Sequence, residues 1–137
     1  MKMKFAIVAL SVALSATVAH ALGEDIISGM NVCTNHSSGD DAHKECARTA
    51  YYSADRLLND QFKAVIEHLE LLGDGRGVRL MREGESNWIQ ERNRACQASP
   101  DTLRTFDGRR LGTREYACFA RQSVVRANEL YEIPFSN

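Results

Sequence analysis

Proline is nearly missing from this 137-residue chain: Pro100 and Pro134 are the only two, and each follows a periodic segment instead of interrupting one. No stretch alternates between apolar and polar with a period of two, which removes the pattern of a half-buried strand. Beyond residue 21 no apolar run approaches the roughly 20 residues a membrane helix needs, and lysine is reduced to Lys44 and Lys63. Catalytic signatures are equally scarce. There is no C-x-x-C, no phosphate-cradling glycine motif and no persuasive Ser, His and Asp arrangement. Glu83 and Glu85 stand two apart, so on a helix they diverge and cannot face each other across a cleft as glycoside hydrolysis requires. The expectation is a non-enzyme with no cofactor and no metal.

What is present fits one small globular domain: 44% hydrophobic and 26% charged residues, too ordered in composition for a disordered chain and too short for a two-domain enzyme. Lys2 and Lys4 precede an apolar run from Phe5 to Val18, and Ala19, His20 and Ala21 form an A-x-A cleavage site, the layout of an export signal. Residues 1–21 are therefore expected to be a cleaved secretory signal and 22–137 the mature domain, periplasmic or secreted and without a membrane anchor after cleavage. The mature part carries 15 basic against 18 acidic residues. That balance argues against general nucleic-acid binding, which needs a strongly basic face. Arginine supplies 13 of the 15 cations, favouring ordered, multidonor contacts over plain solubility.

Four cysteines remain, Cys33, Cys46, Cys96 and Cys118, and an even count in a short exported chain reads as two disulfides. Three pairings are open. Cys33 with Cys46 and Cys96 with Cys118 is preferred because each closes a short polar loop, contributing about 3 kcal/mol apiece by loop entropy. His36 and His43 flank the first pair in a mirror-image spacing that zinc accepts, but export favours oxidised sulfur.

Ala47, Ala50, Ala54, Leu57, Leu58, Val65, Leu69 and Leu72 recur at three- and four-residue steps, predicting a helix over 42–72, with Asp40 or Asp41 as its cap. Gly73, Gly75 and Gly77 permit a reversal. A second helix begins near Val78 and ends before Pro100, and a third runs through Tyr116, Phe119, Ala120, Ala127, Leu130 and Tyr131. Residues 22–43 read as a loose segment. The expected fold is all-α: an antiparallel helical hairpin with a third helix packed across it, stapled by disulfides.

Asp55 and Asn59 share one face of the first long helix, and Trp88 and Arg92 one face of the second. If these faces meet, Arg92 stacks on Trp88 and donates to Asp55, a structural clasp. The stretch 97–117 gathers Arg104, Phe106, Arg109, Arg110 and Arg114 between Cys96 and Cys118. A ring of that kind lowers the ordering cost of binding, making these five the candidate partner contacts.

The landmarks in order resemble the family of the LprI-type lysozyme inhibitor amino-terminal domain: Cys33 and Cys46, then Ala54, Asp55, Leu58, Asn59 and Phe62, then Trp88, Arg92 and Cys96, then Cys118, Ser123, Arg126 and Leu130. The family pattern has two cysteines, A-D-x-x-L-N-x-x-aromatic, Q-x-x-W-[IL]-x-[FY]-R-D-x-x-C and C-x4-T-x2-R-x3-L. Glu85, Glu91, Asn93 and Ser123 depart from it, standing where glutamine, an aromatic, aspartate and threonine are usual. The resemblance implies a helical envelope module with all four cysteines in disulfides. It also implies a lysozyme-like partner, whose carboxylate-lined cleft an arginine of the ring would enter. The rival expectation is an envelope structural or interaction protein with no effect on lysozyme.

Overall fold

The structure is a computed structural model and describes residues 21–97 and 111–133. Within them the chain is all-α, as expected, with four helices and no strand: α1 Glu24–Asn35, α2 Asp40–Leu71, α3 Gly75–Ala95 and α4 Thr113–Tyr131. Helix α1 is a departure, occupying the stretch read as loose. Gly29 and the branched residues Ile26, Ile27, Val32 and Thr34 give it weak intrinsic propensity. Its order comes from packing: Met30 is buried, Ile26 and Ile27 lie against the same core, and Cys33 is bonded to Cys46 of α2.

Helix α2 spans 32 residues, about 48 Å at 1.5 Å per residue, and every other helix is built on it. Neither Asp40 nor Asp41 caps it. Gly39 holds the N-cap position, and the two aspartates fall in the first turn, where their charge complements the helix dipole. Gly73, at φ 69°, supplies the left-handed residue that ends α2. Asp74 then caps α3, its Oδ1 accepting from the Gly77 amide at 2.8 Å. Glu70 lies 4.0 Å from Arg82 near this turn, and Tyr51 meets Arg92 further along, the order of antiparallel neighbours.

The broadest contact joins α2 to α4, and the two run in the same direction. Ala47, Ala50 and Ala54 pack against Tyr116, Phe119, Ala120 and Val124. Further on, Leu58 and Val65 meet Ala127 and Leu130. Alanines on α2 thus admit the large rings of α4, an interdigitation that brings the backbones close. Parallel neighbours cannot be joined by a tight turn, so α3 returns the chain, and the Cys96–Cys118 bridge ties its end to the start of α4.

The start of α1 locks onto the far end of the bundle. The Asn128 side chain accepts from the Leu22 amide at 2.8 Å and donates to the Leu22 carbonyl at 2.9 Å. Gly23 adopts φ 76°, and a Cβ there would stand 2.9 Å from both Leu57 and Val124. Gly23→Ala should therefore cost about 1–3 kcal/mol through left-handed strain and overpacking, read as a lower urea midpoint. An unchanged midpoint would contradict this account of the α1 anchor.

Candidate functional site

The aromatic and cationic side chains converge where α2, α3 and α4 meet. Tyr51 of α2 sits between Tyr116 and Phe119 of α4, with centroid separations of 5.9 and 5.5 Å. The Arg92 guanidinium of α3 lies 4.4 Å from the Phe119 centroid, 5.4 Å from that of Trp88 and 6.0 Å from that of Tyr51. Each is within cation–π range. Trp88 has a second cation, Arg126 of α4, at 5.9 Å.

The expected Arg92 stack on Trp88 is thus present, but the direct Asp55–Arg92 bond is not formed. Asp55 accepts from Asn59 at 3.3 Å, and Arg92 donates to the neighbouring Asn93 at 3.2 and 3.4 Å. Tyr51, one helical turn before Asp55, is the group that senses both. Burial pushes its phenol above the ordinary tyrosine range, the Asp55 charge pushes further the same way, and Arg92 opposes them. The guanidinium is instead taken up by the rings of Phe119, Trp88 and Tyr51.

Glu85 forms the ion pair that sequence reasoning missed. It is the only buried residue of α3, and its Oε2 accepts from Arg126 Nε at 3.1 Å, with the two side chains 12% and 18% exposed. Arg126 also reaches Glu129 at 3.0 Å. A signal was available, since both residues fall at positions of the family pattern and carry opposite charge. Ser123, at another such position, is fully buried and its hydroxyl has no hydrogen-bond partner. The assembly joins α3 to the α2–α4 layer through Arg92 on Phe119 and Glu85 on Arg126.

Of the expected partner contacts, Arg104, Phe106, Arg109 and Arg110 lie outside the described residues. Arg114 is exposed on α4 and donates to Gln97 at 3.4 Å. The two ends of the ring are nevertheless fixed: Cys96 and Cys118 are bonded with Cα atoms 5.6 Å apart, and Leu111 is buried in the core. In the first loop, Cys33 is bonded to Cys46, and the His36 and His43 rings contact the backbone carbonyls of Val32 and Ser37. Among the described residues no group of three or more His, Cys, Asp or Glu is placed to hold a metal.

The family model described as Lysozyme inhibitor LprI matches residues 33–130. The chain belongs to the LprI lysozyme inhibitor family. No curated protein and no solved structure matches it. The LprI match takes in both disulfides, the whole of α2 and α3 and almost all of α4, but only the last three residues of α1. The arginine–tryptophan cluster is therefore wholly inside the LprI region, whereas the α1 anchor at Leu22 and Gly23 precedes it.

Two outcomes test the cluster. Glu85→Ala removes the more buried of the two carboxylates on Arg126, leaving Glu129, and should cost about 1–2 kcal/mol after allowance for partial exposure. Glu85→Gln, which restores the usual family residue and keeps the acceptor, should cost less than about 1.5 kcal/mol; equal losses in urea unfolding would contradict the pairing. The second outcome concerns pH. The folded state holds the Tyr51 proton more tightly than the unfolded chain, so its contribution is whole below about pH 10 and is lost as pH rises through the higher folded value. As pH rises above about 10, wild type should lose stability more steeply than Tyr51→Phe, and parallel curves would contradict the burial of that phenol.

Proposed function

We propose that the chain is a non-enzymatic, exported protein that binds and blocks lysozyme-like muramidases, after loss of residues 1–21 as a secretory signal. The observation that carries this reading is family membership over residues 33–130. Its physical support is a covalently braced helical scaffold, which holds the ends of the 97–117 ring in place and so lowers the cost of ordering it on a partner. No helix among the described residues is long and apolar enough to cross a membrane. The excess of acidic over basic residues beyond residue 21 favours approach to a basic enzyme.

In this reading Arg109 or Arg110 enters the substrate cleft and meets the carboxylates on which glycoside hydrolysis depends. The rival role, an envelope interaction protein using the same scaffold, differs in one readout. In a turbidity assay with several lysozyme types, mature wild type should slow lysis of peptidoglycan. Arg109→Ala/Arg110→Ala should weaken that inhibition by about tenfold or more, the scale of one lost charge-assisted contact. Absence of inhibition by wild type at high molar excess would favour the rival.

A further inference from the structure

A groove of about 550 Å3 lies between α1 and α2, beside the Cys33–Cys46 bridge. Met30 and Ala50 form part of its apolar wall, Ser53 adds a hydroxyl, and the only ionisable groups lining it are two carboxylates, Asp25 and Glu45. Glu45 is already paired with Arg48 at 2.8 Å on the surface, so the charge of the rim rests on Asp25. Asp25 makes no ion pair among the described residues. An apolar trough whose rim carries one carboxylate without an ion pair, Asp25, favours a positively charged occupant bearing an apolar side chain.

Gly29 sharpens this. A glycine inside a helix is unfavourable relative to alanine, yet a Cβ at this position would meet nothing within 4 Å. Packing therefore does not demand glycine here. Its missing side chain leaves the groove open on the α1 side. Asp25, Gly29 and Met30 all precede the stretch matched to the LprI family, so this wall is a feature of the present chain beyond the family region.

We infer that the α1–α2 groove is a docking site for a cationic loop of a partner protein, which lays an apolar side chain between Met30 and Ala50 and sets an arginine or lysine against Asp25. The inference deepens the reading of the chain as a muramidase-binding protein by assigning it a second contact surface, on the opposite flank of α2 from α3.

The test uses the full mature chain as wild type, Gly29→Trp, Gly29→Ala and Asp25→Lys, each checked for helicity and thermal midpoint. Gly29→Trp fills the open side, Gly29→Ala serves as the control that keeps it open, and Asp25→Lys reverses the rim without adding bulk to the floor. The first probe is a fluorescein-labelled acetyl-Gly-Arg-Leu-Arg-Gly-amide peptide followed by anisotropy. Saturable binding to wild type and to Gly29→Ala, weakened about tenfold or more in the other two, is expected. No saturable binding to wild type up to about 1 mM, or equal binding by all four, would overturn the inference. If Gly29→Trp fails to fold, Asp25→Lys decides alone. The second probe is lysozyme inhibition. Undiminished inhibition by both Gly29→Trp and Asp25→Lys overturns the groove while leaving the inhibitor reading intact. Groove-dependent peptide binding without any inhibition of lysozyme supports the groove and removes the inhibitor reading.

Discussion

The fold depends on keeping α3 in place, and α3 has little with which to hold itself. Its sole buried side chain is the carboxylate of Glu85, so hydrophobic burial along its length is small. Three things compensate. The Gly73 and Asp74 turn fixes its start, the Cys96–Cys118 bridge fixes its end, and between them Trp88 is held by two guanidinium groups from different helices. A covalent tie acts mainly by restricting the unfolded chain, which suits an element whose folded contacts are mostly polar.

That arrangement also explains the division of the core. Around Tyr116 and Phe119 the small side chains of α2 let rings fill the space, and toward the other end aliphatic Leu58, Val65 and Leu130 take over. The cationic cluster sits between the two regions and contacts both, since Arg92 reaches Phe119 while Trp88 packs with the aliphatic group. Such a partly buried charged layer fixes register more than it adds stability, because desolvation offsets much of the attraction. For a chain whose helices include a parallel pair, register is what must be specified.

Much of this was readable from the residues. The three- and four-residue spacing gave α2 and α4 nearly to their ends, and the preferred cysteine pairing is the one present; of the glycine cluster only Gly73 lies in the reversal, while Gly75 and Gly77 fall in the first turn of α3, which starts before the expected Val78. Helix α1 was not readable, because Gly29 and its branched neighbours oppose helix locally and only the packing of Ile26, Ile27 and Met30 decides the matter. The clasp was legible as a pair of faces but not as a set of bonds. Sequence spacing placed Asp55 and Arg92 on helices that meet, but could not show that the guanidinium settles on the rings of Phe119, Trp88 and Tyr51 instead. Glu85 was set aside as a catalytic acid for sound geometric reasons, yet its ion pair across 41 residues needed the parallel placement of α4, which periodicity does not reveal.

In the proposed reading the bundle is a frame carrying two separate surfaces. The ring 97–117 is fixed at both ends beside the arginine–tryptophan cluster, and the α1–α2 groove lies on the other flank, built partly from residues outside the family match. Both presuppose that the sulfurs are bonded within the folded chain. The most direct test is non-reducing peptide mapping with thiol titration on mature protein recovered from an oxidising compartment. The account predicts no free thiol, with peptides joined through Cys33–Cys46 and Cys96–Cys118; four free thiols in material that keeps native helicity and cooperative unfolding would contradict it.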